Sequence, residues 1–243
     1  MNEYATLRAL HRPGDPLVLP NVWDAGSVKI VEEAGYPALA TASASIAAML
    51  GYPDHEGAPA DEMFAAAARV IRAATVPVTV DAEAGYGLKP DGLAARLRGI
   101  GAAGCNIEDT DPATGLKDAD AQAGYIAALR AADPDLVINA RVDAFLAGLD
   151  DPVGEAVARG RRYLEAGADC VYPILAPFER VGELVAGIPG PVNIACFPGT
   201  TPRRLAELGV ARISFGPQPY LHALETLRTF ATRAAAGEDP AAG

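Results

Sequence analysis

Asp81 and Glu83 are carboxylates one residue apart, standing where the apolar run PVTV gives way to glycines in VDAEAGYG (80–87). A third carboxylate, Glu108, closes GCNIE, and an arginine, Arg141, closes LVINAR. On its own, a D-x-E before glycines fits a surface turn as well as a site. Brought together, three carboxylates repel one another, and charge buried without a partner is costly. A hard divalent cation resolves such a cluster. Mg2+ takes oxygen ligands from one or two carboxylates and keeps waters and open positions for a substrate, and Mn2+ accepts the same donors. Asp81, Glu83 and Glu108 are therefore candidate metal ligands. Arg141 offers a planar, two-pronged donor to a substrate carboxylate or to an enolate oxygen. Metal and arginine together can hold a 2-oxo acid. His11, His55 and His222 are isolated from one another and read as packed or solvated imidazoles.

For these residues to meet, the ends of distant segments must converge. A phrase recurs in EEAGYPALA (32–40), GAAGCNIED (101–109), LEAGADCVY (164–172) and AELGVARIS (206–214). In each, a helix runs out at a glycine able to take the left-handed C-terminal position, and an apolar strand begins within a few residues. Helix followed at once by strand is the pattern of βα units and a parallel sheet. Apolar runs at 17–20, 38–41, 77–81, 104–108, 136–141, 169–172, 191–194 and 211–215 make eight strands. Eight strands alternating with helices predict an α/β chain folded as one (β/α)8 barrel domain over 1–243, with loose ends at about 1–15 and 237–243. A nucleotide-binding GxGxxG after the first strand is absent.

Barrel strands alternate inward and outward, and the chemistry of this fold collects at their C-terminal ends. One parity choice per strand turns Thr79 and Asp81, Asn106 and Glu108, Asn139 and Arg141, Asn193, and Ser214 inward, with aliphatic neighbours toward the helices. Asn193 thereby joins the candidate substrate contacts. Composition bounds the rest. A net charge of −11 argues against nucleic acid or an anionic membrane as partner, and the N-terminus lacks a signal-peptide apolar core, which predicts a cytoplasmic protein. Cys105, Cys170 and Cys196 sit in apolar runs and read as buried thiols.

The segments PNVWDAGSVKIVEEAG, TASASIAAMLGYPD, DAEAGYG, GCNIEDT, INARVDAFL and YLEAGADCVY resemble, in the same order, the isocitrate lyase and phosphoenolpyruvate mutase superfamily, in a phosphonomutase-like branch. The resemblance implies a (β/α)8 barrel, associated as a homodimer or homotetramer, that binds Mg2+ and a small 2-oxo acid or phosphonate. It also implies bond making or breaking at the carbon beside the carbonyl. It makes Asp81 the most direct metal ligand, with Glu83 acting through a metal-bound water and Glu108 as an outer ligand. Asp54, in LGYPD, then lies beside the metal and reacting group, and Ser43 and Ala44 hold the substrate carboxylate and oxo oxygen. Tyr86 falls in the D-x-[DE]-x-G-[YF]-G motif, and Arg141 is the arginine of N-A-R.

Two departures bear on the reaction. The loop TDPATGLKDAD (110–120) carries neither the K-[KR]-C-G-H segment whose cysteine is the acid in isocitrate and methylisocitrate lyases, nor the K-x-N-S type segment of the phosphonate enzymes, although Lys117 lies nearby. The expected activity is therefore Mg2+-dependent C–C cleavage beside the carbonyl of a small 2-oxo or 2-hydroxy acid through an enolate. P–C bond chemistry and a non-catalytic 2-oxo acid binder are the alternatives. A sugar-phosphate enzyme, using FPGTT and SFGPQP, is a further one.

Overall fold

The computed structural model describes residues 2–111 and 113–241. Its strands are β1 (Leu17–Leu19), β2 (Asn21–Val22), β3 (Leu39–Thr41), β4 (Val78–Asp81), β5 (Gly104–Glu108), β6 (Thr110–Asp111), β7 (Gly115–Leu116), β8 (Val137–Val142), β9 (Cys170–Pro173), β10 (Asn193–Ala195) and β11 (Arg212–Ser214). The α-helices are α1 (Glu3–Ala9), α2 (Ala25–Glu33), α3 (Ser43–Leu50), α4 (Ala60–Ala73), α5 (Pro90–Ile100), α6 (Ala119–Ala132), α7 (Pro152–Glu165), α8 (Val181–Gly187), α9 (Pro202–Glu207) and α10 (Gln218–Ala235). Among the described residues, no helix is long and apolar enough to cross a membrane.

Two parallel sheets carry the chain, in the orders β2-β3-β4-β5-β8-β9 and β1-β11-β10. A parallel bridge between Val171 and Val192 links β9 to the β10 side. On the other side, the segment 17–22 runs from one sheet into the other, broken at Pro20, which has no N–H to give to a ladder. The first expected strand is thus two short ones in different sheets. The antiparallel β6–β7 hairpin has no counterpart in the expected eight.

The inward and outward parity is visible in the packing. Val80, Cys105, Ile107, Ile138, Ala140, Ile194 and Ile213 pack with Leu93, Leu97, Ile126, Leu129 and Leu184 from the helices. The opposite face of the same strands carries Thr79, Asn106, Asn139, Asn193, Arg212 and Ser214, all buried. Gly104 must be glycine for β5 and β8 to pair closely, since a Cβ there would fall 2.6 Å from the Val137 carbonyl oxygen.

Within the N-terminal stretch expected to be loose, residues 2–9 form a capped, packed helix. Asn2 caps α1, Leu7 is fully buried against Leu17, Leu19 and Val137, and Arg8 pairs with Asp169 at 2.7 Å. A seven-residue helix with one buried leucine carries too little periodicity to show in sequence. The other expected loose end, 237–243, is exposed at 237–239 and 241 with Pro240 half-buried, and its residues 242 and 243 lie outside the described residues. Helix α10 has no buried residue and leaves Leu221, Leu224, Leu227 and Phe230 exposed.

Candidate active site

The C-terminal ends of the strands surround a cavity of about 90 Å3, lined by Asn21, Ala42, Ser43, Ala44, Asp54, Asp81, Asn106, Arg141, Tyr172, Ile174, Ser214, Gly216 and Pro217. Asp81 ends β4, where its own N–H donates to Thr41 Oγ1 at 2.8 Å, and its Oδ2 accepts the Ser43 N–H at 3.1 Å. That bond places a carboxylate at the start of α3, where backbone amides have no intrahelical acceptor. Asp54 lies across the cavity with its Oδ1 buried and without a hydrogen-bond partner.

Glu83 does not line the cavity. Its backbone is left-handed, at φ 48°, which turns the side chain toward a second loop; there Oε2 accepts the Glu56 N–H and Oε1 accepts the Tyr86 hydroxyl. The Glu56 carboxylate in turn accepts the Tyr86 N–H. His55, Glu56 and Tyr86 share the left-handed conformation, and of these four non-glycine residues in a disfavoured region, Glu56, Glu83 and Tyr86 are tied to one another by these bonds. Tyr86 stands behind the cavity, edge-on to Phe64. Burial raises the Glu83 pKa to about 7, opposed by its Tyr86 bond and reinforced by Asp81.

Arg141 reaches the cavity between two acids. Its Nε and Nη2 donate to Asp143 Oδ1 and Oδ2 at 2.6 and 3.1 Å, and Nη1 pairs with Glu108 Oε2. Of five guanidinium N–H donors, one on each terminal nitrogen is left. Burial works against the Arg141 charge, yet Glu108 and Asp143 outweigh it and hold its pKa above the ordinary value. Burial pushes Glu108 up to about 8, against the pull of Arg141. Behind this pair, the Asp143 N–H donates to Asp109 Oδ1 at 2.8 Å, while Asp109 Oδ2 accepts from Arg159 at 3.1 Å and from Tyr163 at 2.7 Å. Asp143, Asp109 and Arg159 thus support the site; Asp109 and Asp143 lie in the segments GCNIEDT and INARVDAFL without a role read for them there, and Arg159 lies in none. Asp143 continues the parity of Asn139 and Arg141, which was the available signal.

The expected residues do not all converge. Ser43, Ala44, Asp54, Asp81 and Arg141 line the cavity, and Glu108 touches it through Arg141. Asn193 lies beneath it, donating to Ser214 Oγ at 3.2 Å with its own Oδ1 unpartnered. Lys117 directs Nζ to the carbonyls of Ala84 and Glu108, at 3.3 and 3.5 Å. Cys196 is buried and does not line the cavity. Asn21 and Tyr172 line it and were not expected, while Asn106, expected to face inward, lines it as well.

The donor set fits a hard cation. Asp54, Asp81 and Glu83 are near enough for the first two to raise the pKa of the third, and Asp54 holds an orphaned buried oxygen. Among the described residues, no group of three carboxylates, imidazoles or thiols already stands at the spacing of ligands around one ion. Mg2+ needs no such cage, because it binds through one or two carboxylates and retained waters. A pH dependence follows. With pKa values of about 7 and 8 against 4.5 for the ordinary group, Glu83 and Glu108 keep protons in the folded chain that the unfolded chain releases. Stability of the metal-free protein therefore falls as pH rises through that window. Mg2+ must displace those protons at pH 6 but not at pH 8.5, so it should raise Tm more at the higher pH. Melting curves at both values check this, and an equal Mg2+ shift would remove the two glutamates from the metal's surroundings.

The family model described as phosphoenolpyruvate phosphomutase matches residues 7–235. A solved structure from Burkholderia cenocepacia J2315, assigned as a candidate phosphonomutase, superposes with a TM-score of 0.89 at 44% identity, covering 95% of this chain and 99% of that one. The oxaloacetate decarboxylase of Rhodopseudomonas palustris (strain BisB5) is 38% identical over 186 residues, 70% of this chain and 62% of that protein. A phosphonopyruvate hydrolase solved with oxalate and Mg2+ superposes with a TM-score of 0.87 at 25% identity, covering 98% of this chain and 89% of the other.

Proposed function

The chain belongs to the phosphoenolpyruvate phosphomutase family, of the isocitrate lyase and phosphoenolpyruvate mutase superfamily, and from that membership we propose that it is a cytoplasmic Mg2+-dependent lyase cleaving a C–C bond at the carbon beside the carbonyl of a small 2-oxo acid of the oxaloacetate type. The observation that carries the proposal is the cavity itself. It is compact, at about 90 Å3, and its polar lining suits a small anionic acid. Its lining pairs a carboxylate with a guanidinium. The two parallel sheets are read here as one closed (β/α)8 barrel, with the cavity at its C-terminal mouth. The family assignment leaves the sugar-phosphate alternative without support.

Asp81 would hold the metal, with Glu83 and Glu108 acting through its waters and Asp54 beside it; Mn2+ would suit the same oxygens. When bound, the ion supplies a Lewis acid that polarises the carboxylate and 2-oxo oxygens of the substrate. With the Ser43 amide held by Asp81, the Ser43 hydroxyl and the Ala44 amide in the first turn of α3 would receive the substrate carboxylate. The two remaining Arg141 N–H groups face the oxygen that gains charge in the reaction. In oxaloacetate the C3–C4 bond breaks, CO2 departs, and the electron pair enters the C2–C3 enolate, which takes a proton from water at C3 to give pyruvate. No leaving group needs a protein acid in that step. This accords with a 110–120 loop that has no cysteine and a Lys117 committed to backbone carbonyls.

The test is turnover of oxaloacetate, 2-alkylmalates and phosphonopyruvate with Mg2+ and with Mn2+. Pyruvate and CO2 from oxaloacetate are expected. Phosphate from phosphonopyruvate, with oxaloacetate untouched, would move the assignment to P–C chemistry, and tight binding without turnover of any of them would make the chain a 2-oxo acid sensor. A second copy of the chain is proposed to cover the exposed apolar face of α10, making a homo-oligomer.

A further inference from the structure

Arg212 is the largest side chain that the protein encloses fully, at 1% exposure, on the inward face of β11 beneath the cavity. Among the described residues it has no ion pair. Its Nη2 donates to Asn106 Oδ1 at 3.1 Å and its Nη1 meets His11 Nε2 at 3.5 Å, while Nε has no partner. Both acceptors are neutral. His11 directs Nδ1 to the Leu7 carbonyl at 2.9 Å, which leaves Nε2 to accept, and burial lowers its pKa to about 4. A carboxylate here would satisfy the guanidinium and cancel its charge. Neutral acceptors bind its protons and leave the charge in place, felt at longer range by Asp81 in the cavity. An interior serving packing alone gains nothing from such a charge, since a buried ion is often replaced without loss by an apolar side chain of similar size.

The same contacts fix Asn106. An arginine can only donate, so the Asn106 atom facing it is the oxygen. That oxygen also accepts Asn139 Nδ2 at 2.7 Å. The amide nitrogen must then point the other way, toward the cavity that Asn106 lines.

We propose that Asn106 is a ligand-binding residue of this cavity, donating from Nδ2 to an oxygen of a small anion that carries a carboxylate beside a second oxygen, and that Arg212 is its positioning residue. Arg212 acts twice: it sets the amide's direction, and it supplies uncancelled positive charge below the bound anion. This rests on the 2-oxo acid assignment above and adds a specificity element to it, favouring an acceptor oxygen over a hydroxyl or ammonium group at that spot.

Oxalate is the probe, titrated calorimetrically with Mg2+ into wild type, Arg212→Met, Asn106→Ala and Asn106→Asp, with melting curves of each. Arg212→Met is expected to melt at or above wild type and to bind oxalate at least about tenfold more weakly, a combination that a structural role does not produce. Asn106→Ala should lose about tenfold, and Asn106→Asp more, because an acceptor then faces an anion. Oxalate affinity within twofold of wild type in either Arg212→Met or Asn106→Ala overturns the proposal while leaving the 2-oxo acid site standing. If Arg212→Met does not fold, Asn106→Ala decides alone. Wild type that binds neither oxalate nor pyruvate, with or without Mg2+, overturns the substrate assignment and the proposal with it.

Discussion

Asp81→Ala is expected to lose Mg2+-dependent oxalate binding and to lower kcat/KM on the order of 10^3-fold or more, with little change in Tm. The expectation comes from where the carboxylate sits. It closes β4, is tied by its backbone to Thr41 and by its side chain to the first amide of α3, and lines the cavity itself. Nothing in the apolar core depends on it, so binding and folding separate. Asp81→Asn keeps the shape and the bond to Ser43 but not the charge, and should lose nearly as much. Calorimetry with and without Mg2+ is the measurement. Metal-dependent binding that survived in both variants would place the ion elsewhere and remove the basis for the lyase assignment.

Asp143→Ala should behave in the opposite way, failing in stability and catalysis together. Asp143 is fully buried and grips both Nε and Nη2 of Arg141, so its removal leaves a buried guanidinium with Glu108 as its single carboxylate partner among the described residues. Breaking a buried pair from one side costs about 3–5 kcal/mol. For a domain of this size that corresponds to a fall in Tm of roughly 10 °C. The freed Arg141 loses its orientation, so kcat should fall while Mg2+ binding at Asp81 persists. Asp143→Asn tests the charge with the shape retained. Denaturant unfolding of each variant is the check, and a loss below about 1 kcal/mol would show that the fork contributes little to the fold.

What could be read from the residues, and what could not, divides along physical lines. The parallel strands were legible because glycine-ended helices and apolar runs mark them locally, and strand parity turned Asp81, Asn106, Asn139 and Arg141 toward one interior. Glu83 and Tyr86 were placed in the right loop, but their direction depends on left-handed backbone at non-glycine residues, which no residue type announces. Asp109 and Arg159 meet across 50 positions of chain, so their pairing exists only in the folded structure. Arg212 was legible in principle, since it shares the parity of Ser214. A charged residue in the middle of an apolar strand is easily read as an end instead. Helix α1 and the β6–β7 hairpin escaped because elements of two to seven residues are too short for periodicity to show.

The contact between His11 and Arg212 has an evolutionary consequence. The N-terminal ends of parallel strands ordinarily matter to stability, and the opposite ends to chemistry. Here a residue just beyond α1 holds the arginine that orients Asn106, so the two ends of the strands are joined through the middle. If Arg212 acts as proposed, selection on the substrate reaches down to position 11, and positions 11, 106 and 212 should drift or hold as a group across the family. Substitutions remote from the reacting atoms would then separate one specificity from another among relatives that keep the same metal carboxylates.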